Sequence, residues 1–264
     1  MSSILPFRER YQARASFIHG LEPRAKVVAT VAFVFAATLT PVGQWPVLGG
    51  LALILAAAVA LSRLSPLLVL GRSALALPFV LVAVPILFTK EGDELFTIPA
   101  LAWDWTATDA GLEALSTILA KSWLSVCAAV VLTASTTSLD LLRGLRGLGL
   151  PRIIVATVSF MYRYIFVIGE EGLRLMRARE SRSAKISSRS GGGILWRARV
   201  SGNMVGSLFL RSYERSERVY EAMCARGFDG EVRFLSGGVL RPLDVVAVAV
   251  LIALLTGLQV YARV

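Results

Sequence analysis

Apolar residues gather in long blocks rather than alternating along the chain. Five blocks stand out, at about 25–40, 47–61, 66–88, 113–134 and 239–262. A helix that spans a bilayer needs about 20 mostly apolar residues, so blocks of this length predict membrane-spanning helices. Between the fourth and fifth blocks the pattern changes to charged and apolar residues mixed at helical spacing. The pattern predicts an all-α membrane protein of about five transmembrane helices, with a helical module inserted before the last. The first two blocks share the turn Pro41-Val-Gly-Gln-Trp-Pro46, which predicts a helical hairpin. Pro78 and Pro85 interrupt the third, where each removes a backbone hydrogen bond and kinks the helix.

Loop charges orient the blocks. The N-terminal arm carries Arg8, Arg10, Arg14 and Arg24, and the second connection carries Arg63 and Arg72. The long loop 90–113 is acidic, with Trp103 and Trp105 as expected interface anchors. Arg143, Arg146 and Arg152 follow the fourth block. Positive loops stay on the cytoplasmic side, so arm and module are expected inside and the acidic loop outside. The expected organisation is an arm (1–24), four spans (25–137), a cytoplasmic module (138–234) and a final span (235–264). No cleavable signal peptide is expected, because the first apolar run begins near residue 25 and a second follows directly.

Residues 152–169 are apolar enough for a sixth span, but a single crossing there would carry the Arg-rich segment 174–226 outside. Arg163 also sits mid-run, where a charge in lipid costs at least a few kcal/mol. An amphipathic helix lying under the bundle is therefore expected. Ser138-Leu-Asp140 has the form of an N-cap before Leu141. Gly144, Gly147, Gly149 and Pro151 break the chain, and Ser187-Ser-Arg-Ser-Gly-Gly-Gly193 forms a hinge between two charged helices at about 152–185 and 196–226. On the second helix, Val205, Phe209, Tyr213, Tyr220 and Met223 share a stripe about 80° wide at 100° per residue. Arg211, Arg215 and Arg218 lie among Glu214, Glu217 and Glu221, predicting ion pairs within the helix.

Composition sharpens this picture. The 264 residues are 55% hydrophobic and 17% charged, with mean hydropathy +0.66, yet the net charge is +10. Residues 138–234 hold 17 Lys and Arg against 9 Asp and Glu, so nearly all the basic excess lies in the module. Cys127 and Cys224 cannot form a disulfide framework or a zinc cluster, and His19 is the only histidine. No metal site or cofactor is expected of the chain itself. A phosphate loop of the form G-x-x-x-x-G-K-[ST] is absent, so the chain is not expected to hydrolyse ATP. The spans carry no paired catalytic side chains of an intramembrane enzyme.

The module contains an internal echo. Ala178-Arg179-Glu-Ser-Arg182-Ser183 and Ala222-Met-Cys-Ala225-Arg226-Gly227 both read Ala-x-x-x-Arg-small. Both fall near helix C-termini, where the helix dipole favours a cation.

Tyr220 to Gly230 resembles the second Ala-Arg-Gly signature of the transmembrane coupling (T) components of energy-coupling-factor ABC importers, and above all of the CbiQ family. The entry Leu21-Glu22-Pro23-Arg24-Ala25-Lys26 is similar to that family's Asp-Pro-Arg-x-Lys-Leu start, with Glu for Asp and Val27 for Leu. The resemblance implies a non-catalytic subunit of a cobalt importer in the bacterial cytoplasmic membrane. Its implied partners are two CbiO-like ATPase subunits and a substrate-binding, CbiM-like S component, with or without a CbiN-like small subunit. It further implies that Ala225, Arg226 and Gly227 dock on one ATPase. A first site, at Arg182 in Ser181-Arg182-Ser183 or at Arg179 in Ala178-Arg179-Glu180, would meet the other. Ser181-Arg182-Ser183 departs from Ala-Arg-Gly, which leaves Arg182 and Arg179 as alternatives. Nickel or vitamin import is the neighbouring possibility. A membrane-anchored basic module for lipid or nucleic acid is the alternative of another class; against it, Arg and Glu interleave and no groove-reading motif is present.

Overall fold

The structure, a computed structural model, describes residues 16–74, 83–89, 94–100, 103–182, 193–230 and 240–263. It is helical apart from one β-hairpin. The chain divides into two compact units, one formed by the helices before residue 149 together with the last helix, the other by residues 149–235.

The first unit contains α1 (Phe17–Gly20), α2 (Pro23–Leu39), α3 (Trp45–Ser62), α4 (Pro66–Ser73), α5 (Ile86–Thr89), β1 (Glu94–Ala100), β2 (Trp103–Thr108), α6 (Asp109–Ser135), α7 (Ser138–Gly147) and α10 (Pro242–Tyr261). Proline opens α2, α4 and α10 at the first helical position and stands second in α3, where its missing N–H costs nothing. Gly43 turns the chain between α2 and α3 with φ +85°. The hairpin turn is present as expected, but α2 packs chiefly on α6, α7 and α10 rather than on α3.

Small residues let these helices meet. Ala36, Ala37 and Ala128 lie buried with Phe33, Leu48, Leu51, Leu124 and Leu255 in one core, and Cys127 and Ala134 join Leu64, Val69 and Val131 in a second. The opposite faces expose large apolar side chains, among them Phe35, Leu53 and Leu67, which fits helices solvated by lipid. Among the described residues α3, α6, α10 and the later α8 (Arg152–Arg182) are long and apolar enough to cross a membrane. The first expected span is α2, of 17 residues. The third begins as α4, and Pro78 lies outside the described residues.

Polar side chains staple α2 at both ends. At its start Lys26 donates through Nζ to the carbonyls of Ser135 (3.2 Å), at the end of α6, and of His19 (3.3 Å). At its far end Lys121 donates to the carbonyl of Thr40, and Gln259 donates to the carbonyl of Ala36 (2.6 Å) and to Thr40 Oγ1 (3.0 Å). Where lipid offers no hydrogen bonds, such internal partners cap carbonyls that would otherwise be stranded.

Three expectations are corrected. The acidic loop 90–113 contains the antiparallel β1–β2 pair, running from Glu94↔Thr108 to Ala100↔Trp103, which apolar-block counting missed. The side chains of Trp103 and Trp105 lie outside those described. The N-cap of α7 is Thr137, one residue earlier than expected, with its hydroxyl accepting from the Asp140 N–H (3.2 Å). Finally, α7 packs against α2 in the first unit, although charge grouped it with the helices that follow. Gly144 makes this close approach possible: a Cβ there would lie 3.1 Å from the Pro23 carbonyl carbon.

Two consequences can be measured. Lys26→Met removes the donor shared by Ser135 and His19 and is expected to cost about 1–3 kcal/mol, read as a lowered thermal midpoint in detergent. Gly111→Ala would place a Cβ 2.5 Å from the Leu87 backbone oxygen, so the α5–α6 contact must shift. A destabilisation of about 1–3 kcal/mol is expected in the same measurement.

Candidate functional site: two crossing helices and their arginine ends

The second unit is built on two long helices, α8 (Arg152–Arg182) and α9 (Ile194–Ala225). Their sequences are amphipathic enough to pair, and they do so antiparallel. Phe160 on α8 meets Phe228, just beyond α9, edge to face at 6.0 Å between ring centroids. At the other end, Met176 and Arg179 on α8 face Ser201, Met204 and Val205 on α9.

An ion pair stands between the two contacts. Glu171, with its side chain largely buried, accepts from Arg215 at 2.5 Å, and Arg211 approaches to 4.0 Å. The expected ion pairs within α9 are thus replaced, for Arg211 and Arg215, by pairing across to α8. A carboxylate held by two guanidiniums in a half-buried setting outweighs solvated i, i+4 pairs worth tenths of a kcal/mol. Apolar grooves open on either side of the ion pair, with volumes of about 450 and 480 Å³. The stripe read from the sequence divides: Val205 lines one groove and Tyr220 and Met223 the other, while Phe209 and Tyr213 stand exposed outside both. Tyr213 hydrogen-bonds Glu217, which raises its phenol above the usual value.

The end of α9 is shaped by backbone geometry. Arg226 is the C-cap residue, and Gly227 follows in the left-handed region at φ +79°. The Gly227 N–H donates to the Cys224 carbonyl (2.9 Å) and the Phe228 N–H to the Met223 carbonyl (3.0 Å). These are the two bonds of a Schellman motif. They turn the chain back so that Phe228 reaches Phe160, and they leave Ala225, Arg226 and Gly227 exposed at the tip.

The end of α8 carries the other candidates. Ala178 and Arg182 are exposed, Arg182 closes the helix, and Arg179 is half-buried in a groove wall. The Ser181 hydroxyl donates to the Ala178 carbonyl at 3.0 Å. Ser183 lies outside the described residues. The structure therefore puts the two arginine-bearing ends at opposite ends of one antiparallel pair. What sequence inspection missed is Glu171. Its separation from Arg215 is 44 residues, the same as that between Arg182 and Arg226, and this coincidence was the available signal.

The other signature, around Glu22, is structural in its contacts. Glu22 Oε1 pairs with Arg24 Nε at 3.1 Å, and Lys26 makes the staple described above. Pro23 and Arg24 form the surface on which α7 lies. His19 Nδ1 shares a hydrogen bond with the Ser16 hydroxyl at 2.6 Å. Among the described residues no group of three His, Cys, Asp or Glu side chains is placed to hold a metal.

Comparison with known proteins agrees with this architecture. The family model described as cobalt transport protein, CbiQ, matches residues 14–235. The energy-coupling factor transporter transmembrane protein EcfT of Brevibacillus brevis is 29% identical over 84% of this chain and 84% of its own. The putative fused cobalt transport protein CbiMQ of Methanocorpusculum labreanum is 30% identical over 76% of this chain and 33% of its own length. The nickel permease LarQ of Lactiplantibacillus plantarum is 33% identical over 34% of this chain and 31% of its own. With a match across most of its length, a multi-pass helical architecture and paired helices ending in arginine, the chain belongs to the CbiQ family of cobalt transport proteins.

Proposed function

We propose that this protein is the coupling subunit of an energy-coupling-factor importer in the bacterial cytoplasmic membrane, most directly one for cobalt. It is a scaffold rather than an enzyme. Separate ATPase subunits hydrolyse ATP, and a CbiM-like S component binds the ion. The observation that carries this proposal is the antiparallel α8–α9 pair with exposed Arg182 and Arg226 at its two ends. Arm and module face the cytoplasm, where the ATPases are.

The chemistry of such a tip is simple. A guanidinium offers a planar fork of donors that stays charged at every physiological pH and holds a carboxylate bidentately. Placed at a helix C-terminus, it also meets the favourable end of the helix dipole. An acidic groove on an ATPase is the complementary surface. When two such grooves approach or separate, two rigid helices carry the displacement toward the bilayer. The identity of the ion falls to the S component, so nickel, the ion named for one relative, is the near alternative.

Two outcomes are expected. The double variant Arg182→Glu/Arg226→Glu should abolish cobalt uptake by the reconstituted complex and weaken co-purification of the ATPases, while membrane insertion stays normal. Uptake at the unmodified rate would overturn the coupling role. Gly227→Val forces a β-branched residue into the left-handed region, at a cost of about 1–3 kcal/mol of strain. Its expected effect is loss of uptake with Arg226 itself intact, because the tip no longer presents the guanidinium at the same place.

A further inference from the structure

An antiparallel helix pair has a local two-fold axis wherever its helices come closest. In this pair the axis can be located independently of Arg182 and Arg226. Glu171 and Arg215 meet 44 residues apart, and they mark the point between the two grooves. Adding 44 to positions on α8, and subtracting it from positions on α9, exchanges the grooves almost completely. Thr157 and Ser201, Met161 and Val205, and Gly172 and Ser216 trade places, each lining its own groove. In all, eight of the ten residues lining one groove map onto residues lining the other.

The same exchange carries Arg182 onto Arg226 and Ala178 onto Ala222. It carries Arg179 onto Met223, and both of these line grooves. The offset set by packing is therefore the offset set by the Ala-x-x-x-Arg echo, although the two come from different residues.

We infer that α8 and α9 are a pseudo-two-fold pair of equal arms pivoting on the Glu171–Arg215 ion pair, with Arg182, not Arg179, as the docking mate of Arg226. Each arginine stands 11 residues beyond its own pivot residue, which makes each arm about 16 Å long at a rise of about 1.5 Å per residue. The tips are held up to about 33 Å apart, pointing in opposite directions. Equal arms about one axis present the same chemistry twice, which is what two copies of one ATPase surface require. The two residues on the axis are themselves opposite in charge. This is the one place where identical side chains would repel, and Arg211 reinforces the contact from 4.0 Å. Glu171 and Arg215 are thus positioning residues that fix where the arginine tips sit relative to one another.

This inference rests on the coupling role proposed above, and its test separates the two. Ala178→Cys and the native, exposed Cys224 accept spin labels on the two arms of the full chain, with the buried Cys127 replaced by Ala. Electron–electron double resonance in nanodiscs then reads the distance between the arms. One narrow distance is expected for the parent, a broad distribution for Glu171→Arg and for Arg215→Glu, and recovery of the narrow distance in Glu171→Arg/Arg215→Glu. In the complex, each single variant is expected to lower uptake roughly fivefold, with recovery in the charge-swapped double, a pattern that general destabilisation does not produce. Arg182→Glu should cost as much ATPase co-purification as Arg226→Glu, and Arg179→Glu less. Narrow distances in both single variants, or a larger loss for Arg179→Glu than for Arg182→Glu, would overturn the inference. If the parent complex hydrolyses ATP without moving any ion, the coupling role fails, while the distances still decide the pivot.

Discussion

One carboxylate organises the second of this molecule's two units. Glu171 lies where two helices of 31 and 32 residues come together, and it draws two arginines of the opposite helix toward it. This pair adds a directional contact between α8 and α9 to apolar ones, which resist separation but not sliding. Hydrophobic burial is non-directional, whereas a carboxylate–guanidinium pair at hydrogen-bonding distance fixes register. The grooves on either side and the distance from each arginine to the contact all follow from that register.

The first unit obeys a different constraint. Its helices are apolar nearly all round, so no hydrophobic gradient tells them which face to bury. Small side chains and a few polar staples decide instead. Lys26, Lys121 and Gln259 each reach a backbone carbonyl on another segment, and α2 receives or supplies every one of these bonds. The basic start of α2 thus has a structural meaning: its cation binds the C-terminal end of α6, where the helix dipole is negative.

Much of this was legible in the sequence because it depends on local pattern. Apolar blocks located α2, α3, α6 and α10, and glycine after a charged run located the end of α9 at Arg226. The misses share a physical cause. The β1–β2 hairpin is stabilised by cross-strand bonds that a count of apolar residues does not register. The grouping of α7 failed because net charge says nothing about Gly144, whose missing Cβ brings α7 onto α2. The partners of Arg211 and Arg215 were sought on their own helix, since spacing favours neighbours three and four residues away. Their actual partner lies on another helix, and only an equality of two separations pointed to it.

The bond between Glu171 and Arg215 bears on the number of residues along each helix. Once pairing is set by side chains in the middle of each helix, every residue between that contact and the helix end decides where the terminal arginine stands. A single inserted residue between 171 and 182 turns the arginine about 100° around the axis and lengthens one arm alone. Relatives are thus expected to keep residue counts fixed along both helices.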